Sequence, residues 1–214
     1  MRGITKGQEP PSLTTHRQTP HSDYGNYEEK DELRKALVAE QRGICCYCMD
    51  RIHTGHDRMR IEHWRSQSHH KDEELSYRNL LGACLGGDGL PRKLQHCDRR
   101  KGEDDIDWNP ANPEHHIETR VRYEMDGTIR SDDLSFDAQL VDVLNLNLPV
   151  LKNNRAGILA AILDWWKSEK ARIQGAVPRE RFERERDKGV GGGGALQPFS
   201  QVSVWWLNQR LARM

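Results

Sequence analysis

Apolar positions recur with helical spacing in two separated stretches. Between Asp31 and Arg42, the set Leu33, Ala36, Leu37 and Glu40 follows an i, i+3, i+4 pattern, and Gly43 supplies a C′ stop. From Asn153 to Ile173, the side chains of Ile158, Leu159, Ile162, Leu163, Trp165 and Trp166 fill one broad face, which predicts an amphipathic helix. Arginines alternate with acids over 179–188 and predict a solvated helix. Gly191–Gly194 then has the composition of a flexible linker. The tail from Phe199 to Leu211 is apolar again. Its Trp205 and Trp206, like Trp165 and Trp166, belong either to a core or to a partner-docking face. Val121–Tyr123 and Thr128–Ile129 flank Asp126-Gly127, the signature of a hairpin turn. Residues 1–27 are rich in Pro, Thr, His and Gly and predict an extended arm.

Three segments follow from this pattern. An arm and helix occupy 1–43. A Cys- and His-rich module occupies 44–110. A helical region occupies 111–214, with the Gly-rich linker near 189–194.

Composition narrows the class. Apolar residues make up 35% of the 214 positions and charged residues 31%, so the core is small and calls for a staple. Lys+Arg and Asp+Glu number 33 each, which excludes a uniformly basic coat for nucleic acid but leaves room for a local patch. The longest apolar run, Ile158–Leu163, is far short of a membrane span. Met1–Pro11 is polar and carries no apolar segment of signal type, so the expected location is cytoplasmic, where cysteines stay reduced and serve metals.

The staple is legible in the cysteines. Cys45 and Cys48 form a C-x-x-C pair, and Cys84 and Cys97 follow, giving the four thiolates of a closed structural zinc site. Gly86, Gly87 and Gly89 let the insert between Cys84 and Cys97 loop out. Cys46 could stand in for Cys45. His96 could replace a ligand or contact phosphate.

Threaded through these cysteines is a second set: Glu62-His63, then Asn79, then Asp98 with Arg99, Arg100 and Lys101. Phosphodiester hydrolysis needs a base for water, a cation at the phosphate and a rigid frame. A neutral imidazole such as His63 can take the proton at pH 7. Glu62 and Asp98 are hard oxygen ligands for Mg²⁺ or Mn²⁺. Asn79 can hold the His63 loop through backbone hydrogen bonds, and Lys101, Arg99 and Arg100 can grip phosphate oxygens. No one of these residues is diagnostic. Their order is.

That order, over about 43–110, resembles the HNH endonucleases, the zinc-stapled ββα-metal nucleases. The resemblance implies an α+β fold: a small ββα-metal core clasped by a four-cysteine zinc site and surrounded by helices. It implies His63 as general base, with Asn79 and Glu62 in the catalytic set. Glu62 and Asp98 would hold the catalytic Mg or Mn. Asp98 stands where the family usually has His or Asn, Glu62 where Asp is commoner, and the Cys84–Cys97 spacing is stretched.

Gly7–Leu13, Leu33-Arg34 to Glu40-Gln41, and His96-Cys97-Asp98 with Lys101-Gly102 are similar to the PtuB-like nucleases of Septu and retron antiphage systems. This implies a nucleic-acid substrate, DNA by default and RNA as the variant. It also implies a PtuA-like ATPase partner, with a retron reverse transcriptase and its RNA/DNA in some systems. The competing expectation is a non-catalytic zinc module that binds nucleic acid or protein.

Overall fold

The computed structural model describes residues 1–214. The chain opens with a short helix, α1 (Pro11–Arg17), that buries Leu13. The expectation of an extended arm over 1–27 is therefore corrected. One buried leucine in seven residues gives too little periodicity to mark a helix in the sequence, but tertiary contact is enough to form it. Helix α2 (Lys30–Glu40) follows as the spacing predicts. Asp31 and Glu32 sit in its first turn, where the helix dipole favours them, and Leu33 and Leu37 face inward.

Two four-residue strands, β1 (Arg60–His63) and β2 (Leu80–Ala83), pair antiparallel, with Glu62 opposite Leu81 and His63 opposite Leu80. Helix α3 (Cys97–Lys101) completes a strand–strand–helix unit. Gln41, just past α2, seals the edge of β2. Its amide accepts from Gly82 N at 2.5 Å and donates to Gly82 O at 2.7 Å.

Helix α4 (Ile117–Arg120) leads into a hairpin of β3 (Arg122–Tyr123) and β4 (Ile129–Arg130), closed by the Asp126-Gly127 turn. Gly127 has φ +82°, and a Cβ there would meet Lys152 O at 2.0 Å, so glycine is required. Helix α5 (Leu134–Ala138) starts at Asp133, whose carboxylate accepts from Phe136 N. Helix α6 (Pro149–Arg172) begins with proline in its first turn, and α7 (Arg179–Val190) and α8 (Ser200–Leu211) pack on each other and against α6. No helix is long and apolar enough to cross a membrane.

A single cluster of buried side chains runs from Met1 to Leu211, so the three sequence segments share one core. Trp206 is buried and packs near Trp166, and Trp205 stands edge-on to Tyr123. Of the two expectations for this pair, the core holds. Arg155 is 1% exposed and has no carboxylate partner; it donates to Gly127 O, Leu146 O and Asn147 Oδ1, tying α6 to the hairpin turn.

The glycine tract also departs from expectation. The guanidinium of Arg42 donates to the carbonyls of Val190, Gly191, Gly192 and Gly194, so the tract wraps a cation instead of swinging free. Leu196 N then donates to Arg42 O, Arg51 donates to Leu196 O, and Phe199 N donates to Met49 O.

Candidate metal centre and catalytic pocket

The first half of the metal site is a tight turn. Ile44 and Arg51 form an isolated antiparallel bridge, and Cys45 N donates to Asp50 O at 2.8 Å. Within the turn, Asp50 N points at Cys48 Sγ, 3.4 Å away. The second half combines the end of β2, which delivers Cys84, with the first residue of α3, which delivers Cys97. Gly86 lets the intervening loop fold back. It has φ +60°, and a Cβ would lie 2.2 Å from His96 O.

All four sulfurs converge. Their Sγ atoms lie within 4.8 Å of one another, with Cys45–Cys97 at 3.8 Å and Cys48–Cys84 at 3.7 Å. A tetrahedral zinc thiolate with ~2.3 Å bonds sets its sulfurs ~3.8 Å apart. The donor set therefore fits zinc. All five cysteines are buried and none is disulfide-bonded. Cys46 lies outside the cluster. His96 also lies outside, with its Nδ1 3.2 Å from Cys97 Sγ, where it can orient a ligand sulfur.

A polar cavity of about 320 Å³ opens beside this staple, lined by Glu62, His63, Asp98, Tyr24, Arg34 and His56 among others. The strand–strand–helix unit explains the gathering: β1 ends on Glu62-His63, and α3 places Asp98 one residue past a zinc ligand. His63 Nε2 lies 3.0 Å from Glu74 O. A carbonyl only accepts, so Nε2 carries the hydrogen, and in the neutral ring Nδ1 keeps the lone pair. Burial pushes His63 below the usual imidazole value, opposed by the Glu74 hydrogen bond and by Asp98. The ring is thus neutral at pH 7 and able to accept a proton.

Glu62 is buried, and this burial, reinforced by a hydrogen bond with Asp98, pushes its carboxyl well above the usual carboxylate range. Tyr47 donates to its Oε1 at 2.6 Å, and Lys101 Nζ stands 3.1 Å from the same oxygen. Arg60 is paired with Asp98. Two neighbouring carboxylates lining this cavity could serve as a donor set for Mg²⁺, which takes one or two carboxylates and keeps its waters.

Asn79 closes the turn after β1. Its Oδ1 accepts from Arg65 N at 2.8 Å and its Nδ2 donates to the carbonyls of Arg65 and Glu73, while its own carbonyl accepts from Trp64 N. The backbone-bracing task read from the sequence is the geometry found.

The expected phosphate grip is placed differently. Lys101 is fully buried, and its ammonium donates to His63 O at 2.9 Å and faces Glu62, so it cannot reach a phosphate in the cavity. Arg99 pairs with Asp88, and Arg100 donates to the carbonyls of Asp142 and Arg92. Neither lines the cavity. A run of Arg-Arg-Lys suggests a solvated cationic face, but a five-residue helix clamped by Cys97 turns its last residue inward. The sequence reading missed Tyr47, which bonds Glu62, and Tyr24, whose ring stands edge-on to His63 with centroids 4.4 Å apart. Tyr47 lay in plain view inside the C-x-x-C pair, whereas nothing local marks Tyr24.

No family model matches this sequence, and comparison with curated proteins finds no match.

Proposed function

We propose that this chain is a metal-dependent HNH-type endonuclease. The observation that carries the reading is His63. It is neutral, its Nε2 is tied to Glu74 O, and its Nδ1 is left as acceptor beside Glu62 and Asp98 in one polar cavity. A zinc module kept only for binding has no need of that arrangement.

His63 Nδ1 takes a proton from water, and the resulting hydroxide attacks phosphorus in line. The P–O3′ bond breaks, and the departing 3′ oxygen takes a proton from solvent, leaving 5′-phosphate and 3′-hydroxyl ends. Glu62 and Asp98 would hold Mg²⁺ or Mn²⁺, which supplies positive charge to the phosphate and the leaving oxygen. Asn79 fixes the turn that carries His63, and Lys101 fixes both the His63 carbonyl and the Glu62 carboxylate.

The test is cleavage of plasmid DNA and of total RNA by the purified chain, each with Mg²⁺ or Mn²⁺. Cutting of either, lost in His63→Ala with zinc retained, supports the reading. Full activity in His63→Ala refutes His63 as the base, and a wild-type chain that cuts neither substrate favours the non-catalytic zinc module. The resemblance to PtuB-like nucleases extends the proposal to phage defence and to an ATPase partner that restrains the nuclease. Co-elution with a PtuA-like ATPase on co-expression is the test of that extension, and separate elution counts against it.

A further inference from the structure

With Lys101 buried and Arg60 engaged by Asp98 and Asp88, Arg34 is the guanidinium of this cavity held only by an exposed partner. Arg34 comes from α2, outside the strand–strand–helix unit, and lines the same cavity as Glu62, His63 and Asp98. Its Nη1 holds Asp31 at 2.7 Å, one turn back on the helix. Asp31 is 78% exposed, so that pair is weak and readily exchanged. The Arg34 side chain itself is only 15% exposed. Its Nε is buried without a partner, and Nη2 donates to no protein group.

An unpaired buried donor is costly, and a ligand oxygen relieves it. The planar guanidinium fork matches the oxygens of a phosphate. The other groups lining the cavity do not compete for this task. Tyr24 packs on His63 and has no charge to offer, His56 is an exposed imidazole, and Glu103 bonds Ser68.

We propose that Arg34 is the phosphate-gripping cation of this site, its guanidinium taking a non-bridging oxygen of the phosphodiester presented to His63. This rests on the nuclease reading and supplies the contact that Lys101, Arg99 and Arg100 do not make.

The experiment measures binding, not cutting. In a His63→Ala background, fluorescence anisotropy follows a labelled single-stranded DNA, its duplex and the RNA of the same sequence across a salt series. Arg34→Gln is expected to weaken binding about tenfold and to reduce the slope of log affinity against log salt by about one phosphate contact. Arg34→Lys should recover part of the loss, because it restores charge without the fork. Asp31→Asn, which frees Nη1, should tighten binding. Unchanged affinity and slope in Arg34→Gln overturn the proposal. So does equal weakening by Asp31→Asn, which would mark the pair as a structural clip. If the His63→Ala protein binds none of the three probes, the nuclease reading itself falls and takes this proposal with it.

Discussion

The ammonium of Lys101 lies 3.1 Å from Oε1 of Glu62, and both side chains are buried. The pair joins α3 to β1, and the same ammonium caps the His63 carbonyl. Removing the ammonium strands the buried Glu62 carboxyl and the His63 carbonyl without their donor and should cost about 3–5 kcal/mol. Lys101→Met should therefore lower the stability measured in urea by that much, in contrast to the weakened phosphate binding expected of a surface lysine. Lys101→Met with Glu62→Gln should recover part of the loss, since the stranded carboxyl is replaced while the His63 carbonyl stays without its donor. A wild-type midpoint in Lys101→Met would remove the structural role assigned here.

Zinc should be present at about one ion per chain, and strong chelation should unfold the protein. Structural zinc in small sites is worth about 10–16 kcal/mol of apparent binding energy. Cys45→Ser should lose metal and fold together. Cys46→Ser, one position on, should keep both, because its sulfur stands outside the cluster. Metal analysis of the two variants separates ligand from neighbour. Loss of zinc in Cys46→Ser would contradict the geometry.

On the proposed nuclease reading, His63 should set the acid side of the pH profile. Its folded value lies below 6.5 because it is buried. The base must be neutral, so cleavage should rise with pH through that lowered value and be flat across neutrality. Stability carries the same sign. Between the folded and unfolded values the unfolded chain binds more protons, so this contribution is complete above about 6.5 and lost as pH falls through the folded value. His63→Ala should cut the rate by about 10²–10⁴ and erase the acid limb. An acid limb centred above 6.5 in the wild type would show that another group controls the reaction.

Arg155 and Gly127 form a second weak point, where α6 meets the hairpin turn. Arg155→Ala strands the buried carbonyls of Gly127 and Leu146 and opens a void, which should cost about 2–5 kcal/mol. Gly127→Ala places a Cβ 2.0 Å from Lys152 O at φ +82° and should be at least as damaging. Urea melts of both variants, with zinc content as control, decide whether the hairpin is held as described.

Much of the site was legible because its spacing is set by chemistry. Four sulfurs spaced to share one ion mark Cys45, Cys48, Cys84 and Cys97, and the acid-histidine pair falls at a strand end. The inward turn of Lys101 was not legible, because a cation in a cationic run carries no mark of burial. Tyr24 reaches the cavity through tertiary packing alone, from a segment with no motif, and Arg34 lies in a stretch whose pattern marks a helix and gives its guanidinium no task. The long helices showed in apolar periodicity, whereas α1 rests on the single buried Leu13. The glycine tract misled for a physical reason: composition reports how freely a backbone could move, and says nothing of the Arg42 side chain that holds its carbonyls.

That grip has a consequence for how the molecule can be cut. Arg42 ends the stretch that feeds Cys45, and the chain from Val190 to Phe199 runs along the back of the zinc turn. The C-terminal helices are therefore not a detachable appendage. A chain stopped short of Val190 would strip four acceptors from one guanidinium, leave Arg51 without the Leu196 carbonyl and uncover the backbone of Met49. Melting of the last two helices should then loosen the turn that carries Cys45 and Cys48, so the smallest unit expected to keep the four sulfurs together reaches at least to Phe199.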